Sequence, residues 1–248
     1  MSEGTMLVQT VKDYRFSGRQ KMFQGTCAGS SASPRGLVFQ LTDLMTQLSV
    51  NVLDIGFGTG TLGRMIKANP DTFYWSVDGV DGFEPNCYNQ TLFNDDIYRN
   101  VWHGLAQDIP QELFAGYDVI CLLDVIEHLD RDTAIELVRY ILTNMNDNAR
   151  FFISTPLWFY PQDTIQEGDL EKHLIGVPVS SMMAMLPQMY SVNNPLIGGF
   201  IYGKVSLDYA DMFSPVTNPA FSQEQGRAIA RAINFDCTPG KVTRLQYE

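Results

Sequence analysis

Positive charge is scarce in this sequence. Lys and Arg number 17 against 28 Asp and Glu in 248 residues, a formal net charge of −11, and no run of basic residues occurs anywhere. Affinity for nucleic acid comes largely from Lys and Arg displacing condensed counterions, so a nucleic-acid partner is not expected. Cysteine is sparse too, and none of Cys27, Cys87, Cys121 and Cys237 stands in a CxxC spacing, which argues for reduced thiols over a disulfide frame. No apolar stretch approaches the length of a bilayer span, and the opening MSEGTMLVQTVKDYRF has no basic start followed by an apolar run. The expectations are no membrane attachment and a cytoplasmic location. Internal repeats and low-complexity segments are also missing.

What is present is core-forming material. Apolar residues make up 45% and charged residues 18%, an ordinary balance for a globular chain. The length suits one α/β domain with an added cap. Residues 17–33 are rich in Gly, Ser and Ala. Ser33 and Pro34 then read as a helix start, and Leu37, Val38, Leu41, Leu44, Met45 and Leu48 recur with helical period. Residues 50–55 read as a strand running into a glycine-rich turn, and 61–68 as a helix stopped by Asn69-Pro70. Strand 73–81, polar helix 85–98 and strand 101–106 follow. The continuous apolar run 117–123 fits the middle of a parallel sheet, with an amphipathic helix over 131–145 and a fifth strand over 150–154. Such alternation predicts a parallel, doubly wound α/β sheet that binds ligands at the carboxyl ends of its strands. After Thr155 the alternation fails. Residues 156–175 are rich in aromatics and acids, 178–186 look helical, 198–207 strand-like, and 221–233 helical with Ser222 and Gln225 as a capping box.

The stretch 52–60 reads VLDIGFGTG. Gly56, Gly58 and Gly60 let the backbone turn tightly and approach a ligand where the next helix offers unpaired N–H groups. Such turns also hold dinucleotides. Asp54 discriminates, because an anion before the turn suits a cationic ligand better than a pyrophosphate. A hydrophobic strand entering D-x-G-x-G-x-G resembles motif I of the class I, Rossmann-like, S-adenosylmethionine-dependent methyltransferase family. Three further elements join it: Val80-Asp81 at the end of the second strand, Ala106-Gln107-Asp108 after the third, and LLDVIEHL over 122–129 after the fourth. Each acid alone reads equally well as a helix cap or turn residue; four in register at strand ends point to a cofactor site.

The resemblance covers about residues 50–155 and implies a mostly parallel seven-stranded sheet. The domain would run over 36–248, with an N-terminal extension over 1–35 able to act as a lid and an acceptor-site insert around 156–190. It implies S-adenosyl-L-methionine as cofactor, held by Asp54, Gly56, Phe57, Gly58, Gly60, Asp81, Gly82, Asp108, Asp124 and Val125. The doubled aspartate of VDGVDGFEPN leaves Asp78 and Glu84 as alternatives to Asp81 for the ribose.

For the transfer itself the candidates are His128, Glu127 and, from the E-x-H of Glu171 to His173, His173. An imidazole titrates near neutral pH, although the E-H pair reads equally as a brace for the cofactor loop. The spacing of Asp124, Glu127 and His128 resembles the E-x-x-E-H metal triad of small-RNA 2′-O-methyltransferases, with His173 able to complete it; the first position here is the shorter Asp, and no metal is expected. Trp158, Phe159 and Tyr160 read as core or as an acceptor wall, and Met182, Met183, Met185 and Met189 as adaptable packing or pocket wall. The expected function is methyl transfer to an O or N of a small molecule, natural product or peptide. The alternatives are a metal-dependent 2′-O-methyltransferase-like enzyme acting on RNA and an inactive cofactor-binding module.

Overall fold

Two strands buried on both faces, β1 (Asn51–Ile55) and β4 (Val119–Leu123), lie side by side in the middle of one sheet. The structure is a computed structural model, and it describes residues 32–218 and 221–247. β2 (Ser76–Asp81), β3 (Asn100–His103) and β5 (Arg150–Pro156) extend the sheet in parallel on either side. β6 (Met189–Asn193), β7 (Ile197–Tyr202) and β8 (Val242–Arg244) complete it with antiparallel pairings, in the order β3-β2-β1-β4-β5-β7-β6-β8. Among the described residues the sheet therefore has eight strands where seven were expected. β8 is the addition, a three-residue edge whose side chains are not buried.

Because successive strand residues face opposite ways, the sheet splits its apolar content between two layers. Leu53, Ile55, Ile120, Leu122, Phe151 and Ile153 pack with α4 (Arg131–Asn144) on one face. Val52, Val77, Val119 and Cys121 pack with α1 (Thr61–Ala68) on the other. Cys87, Cys121 and Cys237 are free thiols, and Cys27 lies outside the described residues. So do residues 1–31 of the expected extension.

Two expected helices are not formed as such. Residues 33–48 give a 3-10 helix, Arg35–Gln40, followed by turns; Leu37, Val38, Leu41 and Leu44 of the periodic series are buried, Met45 is half-buried and Leu48 is exposed. Ser33 does not cap it; its Oγ donates to Ser154 Oγ at 2.7 Å, a tertiary bond that outweighs the local propensity. Residues 85–98 divide into a 3-10 helix, Glu84–Tyr88, and the short α2 (Gln90–Asn94), with Asn89 accepting from the Thr91 N–H between them. α3 (Gln111–Phe114), α5 (Val179–Ala184) and α6 (Gln223–Ala232) complete the helices, and α6 carries the expected capping box. The strand expected over 198–207 stops at Tyr202, and a 3-10 helix, Lys204–Met212, takes up the rest.

From β1 the chain winds one way to β2 and β3, and from β4 the other way to β5. The loops after β1 and β4 therefore part from each other, leaving a crevice at the carboxyl ends of the strands. The largely irregular stretch after β5 returns across this end. The Leu174 and Ile175 N–H groups donate to the Glu127 carbonyl at 2.7 and 3.3 Å and pin it there.

Candidate functional site

A cleft of about 510 Å³ opens at this end of the sheet, within the range that suits a nucleoside-sized ligand. Its walls come from the turns after β1, β2, β3 and β4 and from the stretch after β5.

The β1 turn is built as its glycines require. Gly56, Gly58 and Gly60 have φ of 70°, 57° and 80°, a region that disfavours any side chain. A Cβ on Gly56 would strike Val125 at 2.5 Å, whereas one on Gly58 would meet nothing within 4 Å. Gly58 thus presents bare backbone to open space. Gly56, Phe57 and Gly58 line the cleft, and Gly60 stands behind them, packed on Leu92 and Tyr98.

Asp78 and Asp81 fall on opposite faces of β2. Asp81 lines the cleft, with Oδ2 accepting the Gly58 N–H and Oδ1 the Phe83 N–H, both at 2.8 Å. Burial raises its pKa against these bonds. The two aspartates of VDGVDG have different neighbours. Asp78 accepts from Arg99, Tyr117 and Asn100 and is absent from the cleft, while Glu84 accepts from Tyr88. Asp54 is also absent from the lining. It is buried on the same sheet face as Asp81 but further from the strand ends, accepts from the Tyr98 hydroxyl at 2.7 Å, and is pushed up to about 6 by burial. After β3 it is Gln107, not Asp108, that lines the cleft, together with Gly82 from β2.

Asp124, the first residue after β4, has φ 55°, unusual for a residue other than glycine, and lines the cleft beside Val125. Its Oδ1 accepts from Ser154 at 2.9 Å. Its Oδ2 is buried without a hydrogen bond and lies 3.5 Å from an Arg35 guanidinium nitrogen. Arg35 is the one Lys or Arg among the described lining residues. Sequence spacing gave no signal for it, because it reaches the cleft from the segment before β1.

Glu127, His128 and His173 come together on the same wall, with one ligand atom from each within 4.8 Å of the other two. Glu127 is buried, accepts from Thr155 Oγ1 at 3.0 Å, and has its pKa pushed well up by burial and then by Asp124. Burial, and then the neighbouring His173, lower His128 to about 4; burial lowers His173 as well. Both imidazoles are therefore neutral at pH 7. Their rings stand edge to face, with centroids 4.6 Å apart. Glu171 also lines the cleft and is raised to about 7 by burial, then by Asp169 and Asp81. Of the aromatic run only Tyr160 reaches the cleft. None of the four methionines does, and Met182, Met185 and Met189 are core.

A family model described as a methyltransferase domain matches residues 20–180, more than half of the chain. No curated protein matches significantly. Similar solved structures include the mitomycin 7-O-methyltransferase MmcR, at 16% identity over 69% of this chain and 53% of that one, TM-score 0.47. An O-methyltransferase family protein from Burkholderia thailandensis is 13% identical over 68% and 56%, TM-score 0.45. Phosphoethanolamine N-methyltransferase 2 of Haemonchus contortus, solved with S-adenosyl-L-methionine, is 20% identical over 52% and 30%, TM-score 0.37. The chain spans about half the length of the first structures it matches. Among the described residues no helix is long and apolar enough to cross a membrane.

Proposed function

The chain belongs to the methyltransferase domain family, and from that premise we propose that its cleft binds S-adenosyl-L-methionine and transfers the methyl group to an O or N of a small-molecule or peptide acceptor. The observation that carries this reading is the Asp81 carboxylate at the end of β2, facing bare backbone at Gly58. A diol-binding carboxylate beside a glycine turn fits a ribose next to a chain that must lie close to backbone. The buried Oδ2 of Asp124, without a hydrogen bond, is a second mark of fit, since the cofactor carries an ammonium group.

In this reading Asp81 holds the ribose hydroxyls, Gly56, Phe57 and Gly58 supply backbone, and Asp124 takes the ammonium. Gln107, rather than its neighbour Asp108, offers an amide to the adenine edge, and Gly82 and Val125 are adjoining wall. Asp54, which accepts from Tyr98, and Gly60, which packs on the same ring, support the turn from behind. Bound there, the cofactor supplies an electrophilic methyl on a sulfonium. The protein's part is then alignment and handling of the acceptor's proton. Neutral imidazoles at His128 and His173, with Glu127, present acceptors to an incoming hydroxyl or amine. A cleft lined by the acidic groups of Asp81, Asp124, Glu127 and Glu171, with one guanidinium, disfavours a polyphosphate acceptor.

Calorimetric titration with adenosylhomocysteine and, separately, with NAD tests the cofactor. Binding of the first in the micromolar range and not of the second is expected. Failure of adenosylhomocysteine to bind would remove the proposal.

A further inference from the structure

We propose that Glu127, His128 and His173 form a binding site for a divalent first-row transition ion in the cleft wall. The three donors come from two separate segments. The loop after β4 supplies Glu127 and His128, and the stretch after β5 supplies His173. Backbone bonds from Leu174 and Ile175 to the Glu127 carbonyl join the segments, so the cluster is fixed by the fold and not by chance side-chain contact.

The outer contacts of the two imidazoles match what ligation requires. His128 Nδ1 lies 3.2 Å from the Lys172 carbonyl oxygen, and His173 Nδ1 lies 2.6 Å from that of Tyr160. A carbonyl oxygen only accepts, so each Nδ1 carries the proton and each Nε2 keeps its lone pair. Anchoring of one ring nitrogen by a carbonyl is the usual support for a histidine that ligates through the other. Thr155 similarly orients the carboxylate of Glu127. The two Nδ1 anchors would satisfy any buried imidazole; the buried carboxylate beside two unprotonated Nε2 atoms is what packing alone does not call for.

The donor set defines the ion. Two nitrogens and one carboxylate suit zinc, iron, manganese or cobalt, whereas magnesium and calcium take oxygen ligands. Bonds of about 2.1 Å to a common centre set ligand atoms roughly 3–4 Å apart, within small side-chain rotations of the observed spacing. Asp124, the first residue of the D-x-x-E-H spacing, is outside the cluster, with Oδ1 accepting from Ser154 and Oδ2 3.5 Å from Arg35. Three protein ligands leave the ion further positions on the cleft side. An ion so placed holds an acceptor oxygen and lowers the pKa of a hydroxyl, which makes hydroxyl compounds the favoured acceptor class. That last step rests on the methyl-transfer reading; ion binding itself does not.

The test uses the full chain stripped with a chelator and titrated with Zn²⁺, read by bound metal, and with Co²⁺, read by visible absorption. One equivalent per chain is expected, with affinity reduced at least tenfold in His173→Ala and Glu127→Gln and unchanged in His103→Ala. His173→Asn repeats the loss in a side chain of similar shape, should Ala disturb the insert. No stoichiometric ion in the wild type, or wild-type affinity in both His173 variants, overturns the site. Adenosylhomocysteine binding to the same preparations keeps the two readings apart. A chain that binds it but no ion loses only the metal site, and one that binds the ion but not adenosylhomocysteine loses only the cofactor reading.

Discussion

Asp78 and Asp81 stand three positions apart on one strand, and nothing in VDGVDG distinguishes them. The distinction lies in Arg99 and Tyr117, which are distant in sequence and close around Asp78. The two aspartates should therefore fail in different ways. Asp81→Ala removes a carboxylate from the proposed ribose site and should weaken adenosylhomocysteine about 10–100-fold, the range of one or two charge-assisted hydrogen bonds. Its effect on stability should be small, because burial of that charge is itself unfavourable. Asp78→Ala should leave affinity within about threefold and lower stability by about 2 kcal/mol, chiefly by leaving the buried Tyr117 hydroxyl and the Asn100 donors unpaired. The half-exposed Arg99 adds little to that figure. Titration calorimetry and thermal denaturation on the two variants decide it, and the opposite pattern would exchange their roles.

Elements whose signals are local were legible. α1 occupies the expected span, and α4 ends one residue short of it. The capping box of α6 forms from Ser222 and Gln225. Ser222→Ala should cost about 1 kcal/mol and lower the melting temperature by roughly 2–4 °C, measurable by calorimetry. Elements shaped by distant partners were not legible. The 33–48 segment has helical periodicity, yet Ser33 and Arg35 turn to Ser154 and Asp124 at the strand ends. The meeting of His173 with His128 depends on a carbonyl at Glu127, a group every residue carries, so no residue pattern announces it. That junction can be cut through the backbone alone. The Leu174 side chain is 43% exposed, so Leu174→Pro acts mainly by deleting the N–H that donates to Glu127. It should lower methyl transfer at least tenfold while changing adenosylhomocysteine affinity less; unaltered transfer would detach the insert from the reaction.

At the scale of the molecule, carboxylates are gathered at one end of a sheet in a chain already carrying −11, and burial works against several of them. This arrangement is unfavourable for the empty fold and favourable for a cationic ligand, which links stability to pH. Asp54 has a folded pKa of about 6 against an ordinary 3.8, so the folded state holds its proton more tightly. Its contribution to stability is complete below about pH 3.8 and is lost as pH rises through 6, a loss of about 3 kcal/mol. His128 has the opposite sign. Its folded pKa near 4 lies below 6.5, so its contribution is complete above 6.5 and is lost as pH falls through 4. The two offset each other over the same window and flatten the wild-type profile. Asp54→Asn keeps an oxygen for the Tyr98 hydroxyl and removes the titration. Its melting temperature relative to wild type should rise between pH 4 and 6 by roughly 6–12 °C and level off above. A difference that stays constant across that range would show that Asp54 is not the group that titrates.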